Sequence, residues 1–226
     1  MLTVFDVKPG QVMFSTSDVG WAVGHSYNVY GPLIGGATSL LYEGLPTRPD
    51  AGVWWELCEK YGVRTLFSSP TAIRVLKKHD PDFIRKYDLS ALQYLFLAGE
   101  PLDEPTALWI NELLGKPVID NYWQTETGWP ALTLLPGVAM KPTRLGSPGF
   151  ANLGYNTKII DENTGQEVGP GQKGVLVMVP PLPPGCLSTV WRNDERFIAS
   201  YFSHFKELLY SSLDWAIRDE DGYTYI

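Results

Sequence analysis

Short apolar runs and helical patterns alternate along the first part of the chain. Four short runs predict strands, because runs of this length that are closed by Gly or Pro suit a sheet interior; they are 38–44, 63–69, 92–100 and 117–122. The segments between them predict helices, at 48–62, 70–79 and 104–115. Strands that alternate with helices of this length predict βαβ units and a mainly parallel sheet.

Local signals predict where two of these helices begin and end. Asp50 is the expected N-cap of the first, and Gly62 its expected C-terminal stop. Pro70 suits the first turn of the second helix. The boundaries therefore rest on capping chemistry as well as on periodicity.

The pattern changes near residue 141, where turn-forming pairs separate short strands such as "TKIID" and "GVLVMV". Short strands separated by such turns are typical of antiparallel β-structure. We therefore predict an α/β fold, a mainly parallel sheet with flanking helices over residues 1–140, followed by a smaller β-rich subdomain over 141–226. Within the latter, Asp214 is expected to follow a strand, and "RDEDG" (218–222) is interpreted as a solvated hairpin turn rather than a metal site.

Composition narrows the classes of partner. The 226 residues are 44% hydrophobic and 13% aromatic, which is ample for a folded core. The net charge of −7 argues against nucleic acid, whose binding requires clustered Lys and Arg. The two cysteines, Cys58 and Cys186, lie far apart without metal-ligand spacing and favour a reducing, cytoplasmic setting. No apolar run approaches the roughly 20 residues of a membrane span, so no membrane partner is predicted.

The candidate chemistry lies in "VIDNYWQTETGW" (118–129). Its polar residues follow a predicted strand, at the sheet edge where open α/β folds bind ligands. Thr125 and Thr127 flank the Glu126 carboxylate, and Mg²⁺ takes few protein carboxylates together with phosphate oxygens. The alternative is a segment that caps a helix or turn. A second segment, "LAGEP" (97–101), needs Gly99 at a sharp turn, which by itself favours a strand-to-helix connection without a ligand.

Several motifs, in order along essentially the whole chain, resemble the AMP-forming acyl-CoA synthetases of the short-chain branch, the propionyl-CoA synthetases first. They are "SDVGWAVGHSY", "GPLIGGAT", "YEGLPTRPDAG", "SSPTAIR", "LAGEPLDEP", "VIDNYWQTETGWP" and "RDEDGYTYI". The resemblance implies a reaction in which a carboxylate attacks ATP to form an acyl-adenylate, which then acylates CoA. The implied partners are small molecules: a short-chain acid, with propionate preferred, ATP/AMP, Mg²⁺ and CoA.

The resemblance also assigns the nucleotide-binding residues. Glu126 is the implied Mg²⁺ ligand and Thr125 the donor to the α-phosphate, and these two are the implied catalytic residues. Adenine is expected between the "GEP" turn and the ring of Tyr122, and Asp214 is expected to accept both ribose hydroxyls, although Leu213 stands where many relatives have Gly. The full set of nucleotide-binding candidates is Gly99, Glu100, Pro101, Asp120, Asn121, Tyr122, Trp123, Gln124, Thr125 and Asp214.

The acyl pocket is assigned in the same way, with Ala22, Val23, Ala98 and Trp123 as its walls. An indole across the pocket leaves room for only a few carbons. Acetate-using relatives tend to hold Val at the positions of Ala22 and Ala98, so Ala at both favours propionate. Ser69 lies where relatives contact the pantetheine arm of CoA.

Two features of the family have no counterpart here. Its phosphate-binding loop is not found in residues 1–17, and its small lysine-bearing domain would follow Ile226. We therefore expect a fragment that is inactive alone. The alternatives are an acetyl-CoA or butyryl-CoA synthetase, or a non-catalytic nucleotide-binding or interaction module.

Overall fold

A five-stranded parallel sheet forms the larger half of the structure, a computed structural model that describes residues 1–205 and 209–226. Its spatial order is β2-β1-β3-β4-β5, and every neighbouring pair is parallel. The strands are β1 (Val12–Ser15), β2 (Thr38–Leu40), β3 (Val63–Ser68), β4 (Tyr94–Leu97) and β5 (Val118–Asp120). The predicted α/β class is confirmed.

Helices flank this sheet. They are α1 (Ala22–Gly24), α2 (Gly31–Ile34), α3 (Val53–Tyr61), α4 (Pro70–Leu76), α5 (Asp82–Arg85) and α6 (Glu104–Leu114), with a π-helix over His25–Tyr30 between the first two. The three predicted helices are present, with ends that differ by up to five residues.

The capping predictions have mixed outcomes. Gly62 is the C-cap of α3 in the left-handed conformation (φ 60°), and Pro70 is the first residue of α4, as predicted. The prediction for Asp50 is wrong, because α3 begins later and Gly52 is its N-cap. Asp50 instead accepts a hydrogen bond from the Gly52 amide at 2.7 Å, which closes a turn before the helix.

The parallel sheet is buried on both faces. One face packs against the helices around Trp55 and Ile110, both fully buried. The other packs around Phe5 and Phe96, whose ring centroids are 4.8 Å apart. Burial on both faces explains why these strands read as continuous apolar runs.

The remaining strands form a four-stranded antiparallel sheet of order β11-β10-β9-β8 and a two-stranded sheet, β6-β7. They are β6 (Leu132–Thr133), β7 (Phe150–Ala151), β8 (Thr157–Ile160), β9 (Lys173–Met178), β10 (Tyr210–Arg218) and β11 (Thr224–Tyr225), and α7 (Asp194–Tyr201) lies between β9 and β10. The β-rich character is confirmed, as is the turn before β11, whereas the division at residue 140 stays a prediction.

The position predicted for Asp214 needs a correction. It lies inside β10 rather than after a strand, at an irregularity where the register with β9 shifts between Ser211 and Trp215. Leu213 has φ 65° there, the left-handed conformation that favours glycine. Because this irregularity interrupts the alternation of the strand, the residues around Asp214 do not predict that β10 continues to Arg218.

Candidate functional site

The ends of β4 and β5 bring the two predicted motifs together. The strands are adjacent and parallel, with Leu97 opposite Asp120. The "LAGEP" and "DNYWQTE" segments therefore leave the sheet side by side at its carboxyl edge. Gly99 has φ 103°, which agrees with the sharp turn expected there.

A first cavity of about 400 Å³ opens at this edge. It is lined by nearly all of the predicted nucleotide-binding residues: Gly99, Glu100, Pro101, Asp120, Asn121, Tyr122, Trp123 and Asp214, together with Leu102, Gly146, Pro148 and Ile226. Residues 115 positions apart in the chain thus share one space.

Hydrogen bonds fix one oxygen of Asp214. Its Oδ2 accepts from the Tyr122 hydroxyl at 2.5 Å and from Gln124 Nε2 at 3.0 Å. Gln124 Nε2 also donates to the Ser212 carbonyl at 2.7 Å, and the Tyr210 hydroxyl donates to Gln124 Oε1 at 2.9 Å. Within the described ranges no side chain or amide donates to Asp214 Oδ1, which leaves that oxygen with acceptor capacity.

A half-buried residue, Asp120, and a buried one, Asn121, line the first cavity with polar groups. Burial raises the pKa of Asp120 from 3.8 to about 7, opposed by the hydrogen bond from the Asn121 amide. Asn121 is 3% exposed, and neither polar atom of its side chain has a hydrogen-bond partner in the described part of the chain. A buried amide without partners costs free energy, so a ligand with matching donors and acceptors would be favoured.

The carboxylate of Glu100 points to α4 rather than to the cavity centre. It accepts from the Thr71 amide at 2.7 Å and from Arg74 at 2.5 Å, and Arg74 also reaches Asp103 at 2.9 Å. Burial raises the pKa of Glu100, but the bonds from Thr71 and Arg74 outweigh this and leave the pKa below its usual value. Glu100 therefore stays ionised and braces the turn, whose backbone lines the cavity.

A second cavity, of about 650 Å³, adjoins the first through Gly99 and Trp123. It contains every residue assigned to the acyl pocket, Ala22, Val23, Ala98 and Trp123, as well as Ser69 and Thr125. The indole of Trp123 packs against the ring of Tyr27, with ring centroids 5.8 Å apart. The Ser69 side chain is the N-cap of α4, accepting from the Ala72 amide at 3.3 Å.

Glu126 lies outside both cavities, on the turn that follows Thr125. Its Oε1 accepts a hydrogen bond from the Tyr201 hydroxyl at 2.6 Å. No group of three His, Cys, Asp or Glu side chains that could enclose a metal ion occurs among residues 1–205 and 209–226. Glu126 fits a Mg²⁺ ion whose remaining ligands are phosphate oxygens and waters, because Mg²⁺ is usually bound through one or two carboxylates.

Sequence reasoning gave no role to Tyr201 or Tyr210. Their contacts join Glu126 and Gln124 to residues 75 and 86 positions away, and no local motif marks them. The nearest signal was the acidic, Asn-capped start of α7, which predicts a helix but not what it touches.

Known proteins resemble this chain along its whole length. Residues 1–181 match the family model described as AMP-binding enzyme. The chain is 56% identical to the propionate–CoA ligase of Escherichia coli (strain K12) and 55% identical to that of Salmonella typhimurium, in each case over 100% of the chain and 36% of the relative. It is 40% identical to the acetyl-coenzyme A synthetase of Rhodobacter capsulatus, over 98% of the chain and 34% of that protein.

The chain therefore spans about a third of the length of these curated relatives, as the sequence analysis predicts for a fragment. In the described residues, no helix is both long and apolar enough to cross a bilayer.

Proposed function

The chain belongs to the AMP-binding enzyme family, and from that premise we propose that it supplies the nucleotide and acid sites of a longer AMP-forming acyl-CoA synthetase that prefers propionate. The observation that carries this proposal is the pair of adjoining cavities that share Gly99 and Trp123. A reaction between an acid and a nucleotide needs two sites whose contents can touch. The shared wall is the place where an acid carboxylate would meet the α-phosphate.

In the first half-reaction, an oxygen of the acid bonds to the α-phosphorus and pyrophosphate leaves. The first cavity would hold the adenosine, with the base against Tyr122 and the ribose on Asp214. The network around Asp214 supports this role, because it orients one carboxylate oxygen and leaves the other as an acceptor. The unpartnered amide of Asn121 would gain its missing hydrogen bonds from the edge of the base.

Thr125 and Glu126 would act at the phosphates. Thr125 is exposed at the mouth of the second cavity, where its hydroxyl can donate to an α-phosphate oxygen. Glu126 would hold Mg²⁺, which neutralises phosphate charge while pyrophosphate departs. The protein contributes mostly position and charge in a displacement of this kind.

The second cavity would hold the acyl chain and the arm of CoA. Small side chains at Ala22 and Ala98 leave space beyond the carboxylate, and Trp123 closes it. Burial of one methylene is worth roughly 0.8 kcal/mol, which corresponds to a factor of about four in kcat/KM. The preference for propionate over acetate should therefore be some tens-fold at most. In the second half-reaction the CoA thiolate attacks the acyl carbon and AMP leaves, with Ser69 lining the approach.

The test is acyl-CoA formation by the longer enzyme with ATP, CoA and acetate, propionate or butyrate. The proposal expects AMP and pyrophosphate as products and the highest kcat/KM with propionate. A higher value with acetate or butyrate would assign the enzyme to the acetyl-CoA or butyryl-CoA synthetases. Nucleotide binding without any acyl-CoA product would support the non-catalytic alternative instead.

A further inference from the structure

Tyr201 is the one partner of the Glu126 carboxylate among the described residues, and it comes from an element that the sequence motifs do not include. We propose that Tyr201 is a positioning residue: its hydroxyl fixes one oxygen of Glu126 so that the other is presented to the divalent cation of the bound nucleotide. The inference rests on the proposed function, since it concerns the cation of that same site.

The contact is specific in geometry. The Tyr201 hydroxyl donates to Glu126 Oε1 at 2.6 Å, a length typical of an O–H donor on a carboxylate. Oε2 has no donor within the described residues. The backbone carbonyl of Glu126 also accepts a hydrogen bond, from the Leu187 amide at 2.7 Å, so the main chain and the side chain of Glu126 are both held.

The ring of Tyr201 is itself held in place. It stacks on Tyr210 with centroids 5.3 Å apart and an angle of 9° between the planes. Phe197, buried one turn earlier in α7, packs against Tyr201 at 5.6 Å. A ring fixed on two sides loses little further freedom when its hydroxyl orients a carboxylate.

The same stack joins the cation carboxylate to the ribose carboxylate. Tyr210 donates to Gln124, and Gln124 donates to Asp214. The proposed cation and ribose ligands are thus the two ends of one hydrogen-bonded and stacked series. A role restricted to folding would not require the series to end on both ligands.

Partners of a metal-binding carboxylate typically change metal affinity 10- to 100-fold when they are removed. A Phe at position 201 keeps the stacked ring and removes only the hydroxyl. We therefore expect Tyr201→Phe to weaken cation binding by roughly 10- to 100-fold while the fold is retained. Tyr61→Phe is a matched control, because Tyr61 is 46% exposed at the end of α3 and lines neither cavity.

The experiment measures Mn²⁺ binding by electron paramagnetic resonance, with the longer enzyme and the unreactive analogue α,β-methylene-ATP. The variants are Tyr201→Phe, Glu126→Gln, their double variant and Tyr61→Phe, each checked for its thermal midpoint. We expect Tyr201→Phe to bind Mn²⁺ more weakly than the wild type and Tyr61→Phe to bind it as tightly as the wild type. The double variant should bind Mn²⁺ no more weakly than Glu126→Gln alone. Mg²⁺ titrations of acyl-adenylate formation should show the same order.

Unchanged Mn²⁺ affinity in Tyr201→Phe, with weakened affinity in Glu126→Gln, would overturn the inference and leave the cation role of Glu126 intact. Fully additive losses in the double variant would also overturn it, because Tyr201 would then act independently of Glu126. Acyl-CoA formation by the wild type is scored separately. Its absence would refute the proposed function, whatever the Mn²⁺ affinities are.

Discussion

Replacement of Trp123 by Gly tests whether this indole ends the acyl pocket. Trp123 is half-buried, lines the second cavity and packs against Tyr27. Removing the indole opens a volume much larger than one methylene, and a longer alkyl chain can refill it. Each buried CH₂ recovers roughly 0.8 kcal/mol, which is about fourfold in kcat/KM. Pentanoate, with two more methylenes than propionate, should therefore gain about 15-fold relative to propionate.

The substitution also removes core contacts, and Trp truncation in a core costs about 3–5 kcal/mol of stability. Trp129→Gly is the matched control, because Trp129 is partly buried against Tyr155 and does not line the second cavity. It should lower stability without changing the preference for acid length. Ala98→Val, which narrows the pocket, should shift the preference toward acetate.

The assay is kcat/KM of the longer enzyme across straight-chain acids from acetate to octanoate, for the wild type and the three variants. If Trp123→Gly and Ala98→Val both keep the wild-type optimum and only lower all rates uniformly, these residues do not line the acyl pocket. The propionate assignment would then lose its main physical support.

Four further predictions follow from the site. Glu126→Gln should slow acyl-adenylate formation more than thiolysis of preformed propionyl-adenylate in single-turnover assays, since the phosphates need neutralising only while pyrophosphate leaves; equal losses would remove Glu126 from the metal role. Asp214→Ala should weaken nucleotide binding at least about 10-fold by calorimetry, because hydrogen bonds to a charged acceptor are worth about 1.5–3 kcal/mol each, and unchanged affinity would contradict the ribose assignment. Leu213→Gly should raise the free energy of unfolding in urea by up to about 1 kcal/mol, since φ 65° is unfavourable for Leu; a loss of stability would mean that the Leu side chain matters more than its backbone. Finally, the pKa of Asp120 is raised from 3.8 to about 7 by burial, so its protonated form favours the folded state, and this stability is lost as pH rises between those values. Relative to Asp120→Asn, the free energy of unfolding of the ligand-free wild type in urea should fall by about 2–4 kcal/mol from pH 4 to pH 8. If the two proteins lose stability in parallel with pH, burial does not raise the pKa of Asp120 as described.

Local rules predicted the parts of this fold in which one segment determines its own conformation. The presence of β4 and β5, the left-handed Gly62 and the turn at Gly99 all follow from short-range chemistry, although both strands are shorter than predicted. Asp50 shows the limit of such rules: a good capping residue was available, but it closes a turn, and the helix begins at Val53 with Gly52 as its N-cap.

The candidate site divides in the same way. Resemblance named the residues on the two strand ends, and the fold brings them into adjoining cavities. It did not name Tyr201 or Tyr210, because contacts across 75 and 86 residues depend on how α7 and β10 pack and not on any pattern near Glu126. The π-helix that follows Ala22 and Val23 was likewise unpredicted, since no local sequence rule distinguishes a π-helix from other helices.

The wall common to the two cavities has a thermodynamic consequence. A ligand in either cavity restricts the same indole, that of Trp123, so the second ligand finds part of its site already ordered. Such coupling is reciprocal: the factor by which the acid tightens ATP binding must equal the factor by which ATP tightens acid binding. The Kd of ATP should therefore depend on which acid is bound when it is measured. Substitution of a residue that lines only the second cavity, such as Ala22, should change the preference for the acid without changing the intrinsic affinity for ATP.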